Sequence, residues 1–481
     1  MNEQRSFERR FADRMEAERG STQLPDAFYD DFRLQARDAR QRPRWLALIK
    51  EPPMRISSSL AVGSPMARVV AITIATLLLA LLAVGAGIAG TRLLAADDAI
   101  VVAQDGSGTV TTITEAVAMA EDGDTVLVRP GTYVEAVIIE EDISLIGDGP
   151  RAEIIIEAPE DGPTARAGDL SNPRPEAAYA LLLQDVDATV SGLTFRGEPS
   201  RVHASGGSPM LKGLALEDVG RGVGDRDGGE MYGGVIVSGG SRATIRDSIF
   251  EGGNGVRAYD DSEPLVSGNE LRAGAVIFGQ IGDGSVIRGN EITGGAIGMS
   301  GATTALIEGN VISDAPFGIW IDSHDSDEEI GPTIRENSIS GGGTGIEVTG
   351  GGAPTIEGNT LTTNRVGIFL SQAGAAALVG NDLADNAIGI GIHGSAAQVE
   401  GNTVRGGTTG VSVSGEATAA LAGNTIEGAA NRGLFIGRGA SPTLTENRAC
   451  DNGTNLVIDE GADPMMQDND ICPDPPAPAE G

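Results

Sequence analysis

The feature that most constrains this chain is a short signature recurring through its second half. Gly-Asn, with an aliphatic residue two places later, occurs at Asn269, Asn290, Asn310, Asn359, Asn381, Asn402 and Asn424, and Glu-Asn or Asp-Asn at Asn337, Asn447 and Asn469. Most steps are close to 22 residues, and the one from Asn310 to Asn337 spans 27. A period of this length without helical spacing predicts one coil of a β-solenoid per repeat. Within each coil apolar and polar residues alternate, as in half-buried strands. Stacking the coils puts Ile245, Val266, Ile287, Ile307, Ile334, Ile356, Leu378, Val399, Leu421, Leu444 and Met466 in one buried column. The Asn is read as a turn residue in the left-handed or bridge region, its amide bonding to the next coil.

Composition agrees. Glycine numbers 70 and aromatics are 4 %, which suits ladders of small aliphatics better than a core of large rings. The formal charge of -34 excludes a phosphate-binding face and hence nucleic acid as partner. Residues 1–67 are almost balanced in charge, so the acidity lies beyond them. Between the two parts runs Val69 to Ala89, VVAITIATLLLALLAVGAGIA, with no charged residue and long enough to cross a bilayer. Arg44, Lys50, Arg55 and Arg68 precede it and Asp97-Asp98 follow, so the positive-inside rule puts the N-terminus in the cytoplasm.

The expected organisation is a cytoplasmic tail over 1–67, a transmembrane helix over 68–92, an extracytoplasmic solenoid over 97–472 and a disordered tail over 473–481. A cleaved signal peptide is the alternative for the apolar segment. Phe7, Phe11 and Met15 form one helical stripe, and Leu24, Phe28, Phe32 and Leu34 supply a second. These are too few to bury a core alone, so a cytoplasmic protein partner is expected, with a disordered topogenic tail as the plain alternative.

The repeat N-x-I/L, then G-I-x-V, then P-x-I-x-G-N, over about residues 230 to 472, resembles the right-handed parallel β-helix of pectate-lyase-like proteins, the carbohydrate-binding and sugar-hydrolase class, and periplasmic copper-processing β-helix proteins. Val101 to Gly149 resembles the opening of pectin methylesterases. The resemblance implies a capping helix at Ile113 to Ala120 and a Gly-Thr-Tyr turn at Gly131 to Tyr133. The esterases' downstream Gln and Asp motifs are absent, so only the fold carries over. The segment before the apolar run is similar to juxtamembrane segments of anti-sigma-like bacterial membrane proteins. No His or Cys precedes residue 203, which excludes a zinc module there.

The fold class is therefore all-β, a right-handed parallel β-helix behind one transmembrane helix. Chemistry on such a fold is sought on one outward sheet face. For the Gly-Ile-x-Val strand the outward residues are read as Arg257, Ile277, Gly298, Trp320, Glu347, Phe369, Gly391, Ser412 and Phe435. Two places on come Tyr259, Gly279, Ser300, Asp322, Thr349, Ser371, His393, Ser414 and Gly437. Trp320, Asp322, Glu347, Phe369 and His393 fall on four consecutive coils and are the candidate ligand-binding residues. An aromatic strip beside carboxylates suits a sugar ring, and Asp322 with Glu347 could act as a carboxylate pair. A scatter of surface residues is the competing reading.

The long step inserts DSHDSDEE, Asp322 to Glu329. Asp322-Ser323-His324-Asp325 is similar to the DPHD motif of β-helix alginate epimerases, with Ser in place of Pro and no Lys or Tyr partner. It makes Asp322, His324, Asp325 and Glu347 the catalytic candidates. Asp325, Asp327, Glu328 and Glu329 are candidate calcium ligands, and a solvated acidic loop is the alternative. Copper is disfavoured because His203, His324 and His393 do not cluster. The leading functional expectation is binding of a polysaccharide or other extended surface ligand. A lyase, epimerase or hydrolase and a structural or adhesive module are the rivals. Cys450 and Cys472 each lie three residues after a repeat Asn and 22 apart, which predicts a disulfide between adjacent coils.

Overall fold

The computed structural model describes residues 99–159, 164–165, 177–197, 201–217, 234–252, 255–272, 277–280, 282–300, 304–323 and 331–474. The N-terminal tail and the apolar segment at 69–89 lie outside the described residues. No helix among those described is long and apolar enough to cross a membrane.

The chain winds into a right-handed parallel β-helix whose three sheets run along its length, with 16, 15 and 14 strands. One coil shows the construction. Thr355–Glu357 belongs to the first sheet, Thr360–Thr362 to the second and Val366–Ser371 to the third. In the first two, only the central residue is buried, Ile356 and Leu361. The corners are single left-handed residues, Gly358 at φ 61° and Thr363 at φ 56°, each followed by a buried Asn. The predicted column holds in register from Ile245 to Met466 and is buried until Met466, which the last coil leaves exposed.

Of the two conformations expected for the Asn, the left-handed one is not found in it. The left-handed residue is the one before it, Gly268, Gly289, Gly309, Glu336, Gly358, Gly380, Gly401, Gly423, Glu446 or Asp468. The Asn side chains instead form a ladder. Asn359 Nδ2 donates to Ile334 O at 2.9 Å and to Asn381 Oδ1 at 3.0 Å, while Asn359 Oδ1 accepts from the backbone and side chain of Asn337. A turn inside a stack needs its buried polar groups paired, and the amide pairs them between coils. A second ladder at the next corner joins Asn364 to Asn386.

The helix Ile113–Met119 covers the first end, one residue shorter than expected, burying Ile113 and Ala116. Thr112 caps it, and the Glu135 carboxylate accepts from the backbone N–H of Ile113 and Thr114. Gly131–Val134, expected as a turn, is a strand paired with Ile154–Glu157. At the other end Cys450 and Cys472 form the predicted disulfide, with Cα atoms 4.9 Å apart.

Candidate functional site

The third sheet is built differently from the other two. Its central strands are six or seven residues long, Phe317–Ser323, Thr344–Gly350, Val366–Ser371, Ile388–His393 and Thr409–Ser414, and nearly every residue is buried. Their glycines fix the corner: a Cβ at Gly367 would meet Leu383 Cδ2 at 2.6 Å and Gly389 O at 2.5 Å, so no side chain fits. Beyond the corner the strand alternates. Ile319, Ile346, Ile368, Ile390 and Val411 enter the core, and the residues between them point outward.

The strand register fixes two rows, outward-facing where the side chains are described. The first runs His203, Ile236, Arg257, Phe278, Gly298, Trp320, Glu347, Phe369, Gly391, Ser412, Phe435. The second runs Gln280, Ser300, Asp322, Thr349, Ser371, His393, Ser414. Phe278 and Gln280 replace the expected Ile277 and Gly279, because that coil lacks the Gly-Ile start that set the alignment. Elsewhere the expected rows stand. Trp320, Asp322, Glu347, Phe369 and His393 lie on four consecutive strands, with Trp320 paired to Glu347 and Glu347 to Phe369.

Their environment is not the open face expected from sequence. Trp320 is 3 % exposed, Asp322 2 %, and Glu347 and Phe369 1 % each, while His393 is half-buried. The rings lie along the sheet: Phe369 leans over Gly391, where an added Cβ would meet its Cδ2 at 2.9 Å, and Trp320 sits 6.4 Å from Phe317, centroid to centroid. The second-row hydroxyl of Thr349 is used internally, its Oγ1 donating to Ile321 O at 3.4 Å, and the neighbouring Ser323 Oγ donates to Thr349 O at 2.9 Å. His393 Nδ1 lies 3.2 Å from Ser414 Oγ.

At the start of these rows, where the sequence offers no candidate, the structure shows a group of paired polar side chains. His203 Nε2 and Ser238 Oγ are 2.8 Å apart, and burial pushes the imidazole down to about 4. Arg257, buried in the same row, donates from Nη1 to Tyr259 Oη at 2.9 Å. The signal available was position: His203 falls in the same row as Trp320 once the strands are registered.

His324, Asp325, Asp327, Glu328 and Glu329 lie outside the described residues. Among the described residues, the one group of His, Cys, Asp or Glu within metal-binding reach of one another is Cys450, Asp470 and Cys472, whose sulfurs are joined to each other. His203 and His393 are eight strands apart in the third sheet, about 38 Å at the usual strand spacing. The described donor set does not fit copper.

A family model for the right handed beta helix region matches residues 232–388, one for the periplasmic copper-binding protein NosD matches 326–472, and one for pectinesterase matches 99–166. No curated protein matches the chain. Among solved structures, the A-module of Azotobacter vinelandii mannuronan C-5 epimerase AlgE6 is 16 % identical with TM-score 0.34, covering 75 % of this chain and 94 % of that one. The periplasmic alginate epimerase AlgG is 14 % identical with TM-score 0.40, covering 73 % and 77 %. A tailspike protein mutant of Escherichia coli bacteriophage HK620 is 12 % identical with TM-score 0.47, covering 79 % of each chain. These likenesses are of fold alone.

Proposed function

We propose that this protein is a membrane-anchored, extracytoplasmic β-helix that binds an extended polymer, a polysaccharide, along the outward rows of its third sheet. Trp320, Asp322, Glu347, Phe369 and His393 form the centre of the site. The observation that carries this reading is the registration of aromatic and acidic side chains on four consecutive strands. Aromatic rings stack on the apolar faces of sugar rings, and carboxylates accept from their hydroxyls. Because the rows are largely shut off from solvent, a ligand reaches them only as that surface opens. The segment 69–89 supplies the anchor, with the 1–67 tail in the cytoplasm and free to meet a protein there.

Asp322 and Glu347 stand on adjacent strands, two positions out of register. That placement keeps lyase, epimerase or hydrolase chemistry as the second reading, with His324 and Asp325 as its further members.

The test is titration of the full chain against acidic and neutral polysaccharides, with and without calcium, with product release followed in parallel. Trp320→Ala should weaken binding by about 1 to 3 kcal/mol. Thr360→Ala, exposed on the second sheet, should leave it unchanged. Equal losses from the two variants at unchanged melting temperature would reject the site.

A further inference from the structure

Over one stretch the first sheet reverses the acidity of the chain. From Thr189–Ser191 to Leu306–Glu308 its side chains outside the core form two rows. One runs Ser191, Lys212, Arg246, Ser267 and Arg288, with Lys212 and Arg288 exposed. Arg151 joins it at the corner after Lys212, where its Nη1 donates to Gly213 O at 3.0 Å and to Leu214 O at 3.1 Å. Among the described residues no acidic side chain pairs with Arg151, Lys212 or Arg288, and Arg246 has one acidic neighbour, Asp247 at 3.6 Å. The row then reaches Glu308, which is paired with Arg335 at 2.6 Å, and Arg335 is its last cation.

This placement works against the free protein. Lys212 stands directly opposite Arg246 in the pairing of their strands, and like charges so placed are destabilising. The chain has 68 acidic residues against 34 basic ones, yet these cations are left without carboxylates. The second row, Thr189, Met210, Thr244, Leu265, Val286 and Leu306, is half-buried throughout. Together the rows make a flat strip, cationic along one side and mostly apolar along the other. Lys212 and Arg288 are three strand spacings apart on it, about 14 Å. A carboxylate accepts from both kinds of cation, from Arg in bidentate fashion, while the apolar faces of sugar rings suit the aliphatic row. A bilayer would call for protruding apolar or aromatic side chains to insert, and the strip offers none.

We propose that this strip of the first sheet is a second ligand surface, binding the carboxylates of an acidic polysaccharide, a polyuronate, through Arg151, Lys212, Arg246 and Arg288. It lies on a different sheet from Trp320 and does not depend on that site. The acidic remainder of the molecule repels such a chain from afar, but at about 0.1 M salt charges beyond about 10 Å are largely screened and the contacts in the strip are direct.

The test uses the full chain in calcium-free buffer at about 0.1 M salt, so that no ion bridges carboxylates. The probes are polygalacturonate, its fully methyl-esterified form and phosphatidylglycerol vesicles. Polygalacturonate should bind at least about ten-fold more tightly than the ester, and Lys212→Glu and Arg288→Glu should each weaken it about ten-fold. Lys212→Glu places a carboxylate opposite Arg246, so the melting temperature of the free protein should stay unchanged or rise. Arg438→Glu makes the same charge change at an exposed arginine far along the solenoid and should leave binding unchanged. Equal losses from Lys212→Glu and Arg438→Glu would show a response to net charge and overturn the strip. Equal binding of the ester would overturn the carboxylate argument, and binding of vesicles without polygalacturonate would replace the sugar by a lipid surface. Loss of polygalacturonate in Trp320→Ala with none in Lys212→Glu would remove the strip and leave the third-sheet reading standing.

Discussion

Asn359 shows what a single repeat residue does here. Its amide makes two donated and two accepted bonds between coils, all buried. Asn359→Ala should therefore cost about 2 to 4 kcal/mol, measured by chemical denaturation, since it strands buried groups on both sides. Gly358, in the left-handed region, has nothing near its missing Cβ. Gly358→Asp should be tolerated far better than Gly358→Val, because Asp468 and Glu336 already occupy equivalent corners. Gly and Asn both accept that conformation, so the pair alone cannot say which one adopts it. The coils that replace Gly by Glu or Asp answer the question. His203 makes a prediction in pH. Its ring titrates near 6.5 when unfolded and at about 4 when buried, so between those values the unfolded chain binds the extra proton. Stability should be full above pH 6.5 and fall by about 3 kcal/mol as pH drops to 4. His203→Gln should flatten much of that slope in melting curves taken across the range.

At the scale of elements, the two ends of the solenoid are secured by different means. The helix Ile113–Met119 covers one, while the other leaves Met465 67 % exposed and its last strands unpaired on one side. The disulfide ties that last coil to its neighbour by closing a loop of 22 residues, worth about 3 kcal/mol in the chain-entropy view. Because repeats contact only their neighbours, its loss should be felt locally. In a Cys450→Ala, Cys472→Ala variant, amide exchange should accelerate over 454–471 and stay unchanged around Ile307. Acceleration throughout the solenoid would contradict this. The pairing was legible because both cysteines keep one offset from the repeat Asn. The register of Ile277–Gln280 was not, since Val276 stands in sequence where Gly255, Gly318, Gly345 and Gly367 mark the corner of other coils. The 27-residue step leaves the stack intact, with Ile307 still paired to Ile334.

For the whole molecule, repeat spacing defined the solenoid from about residue 230 onward, because one residue per coil fixes the strands of the first two sheets beside it. The closure of the third sheet's outer face was not readable in the same way, since a repeat predicts which side chains point outward and not how far solvent reaches them. Topology belongs to this scale too: protease added to intact cells should release material from residue 97 onward and spare the Arg-rich tail, whereas protection of the β-helix would reverse the proposed orientation. The central claim, that a polysaccharide lies against Trp320, has a direct optical test because the chain contains 2 tryptophans. In a Trp45→Phe variant the emission comes from Trp320 alone. Titration with the bound polysaccharide should change that emission saturably, with the same midpoint as binding measured by calorimetry. Calorimetric binding that leaves Trp320 emission unchanged would place the ligand elsewhere and contradict the account.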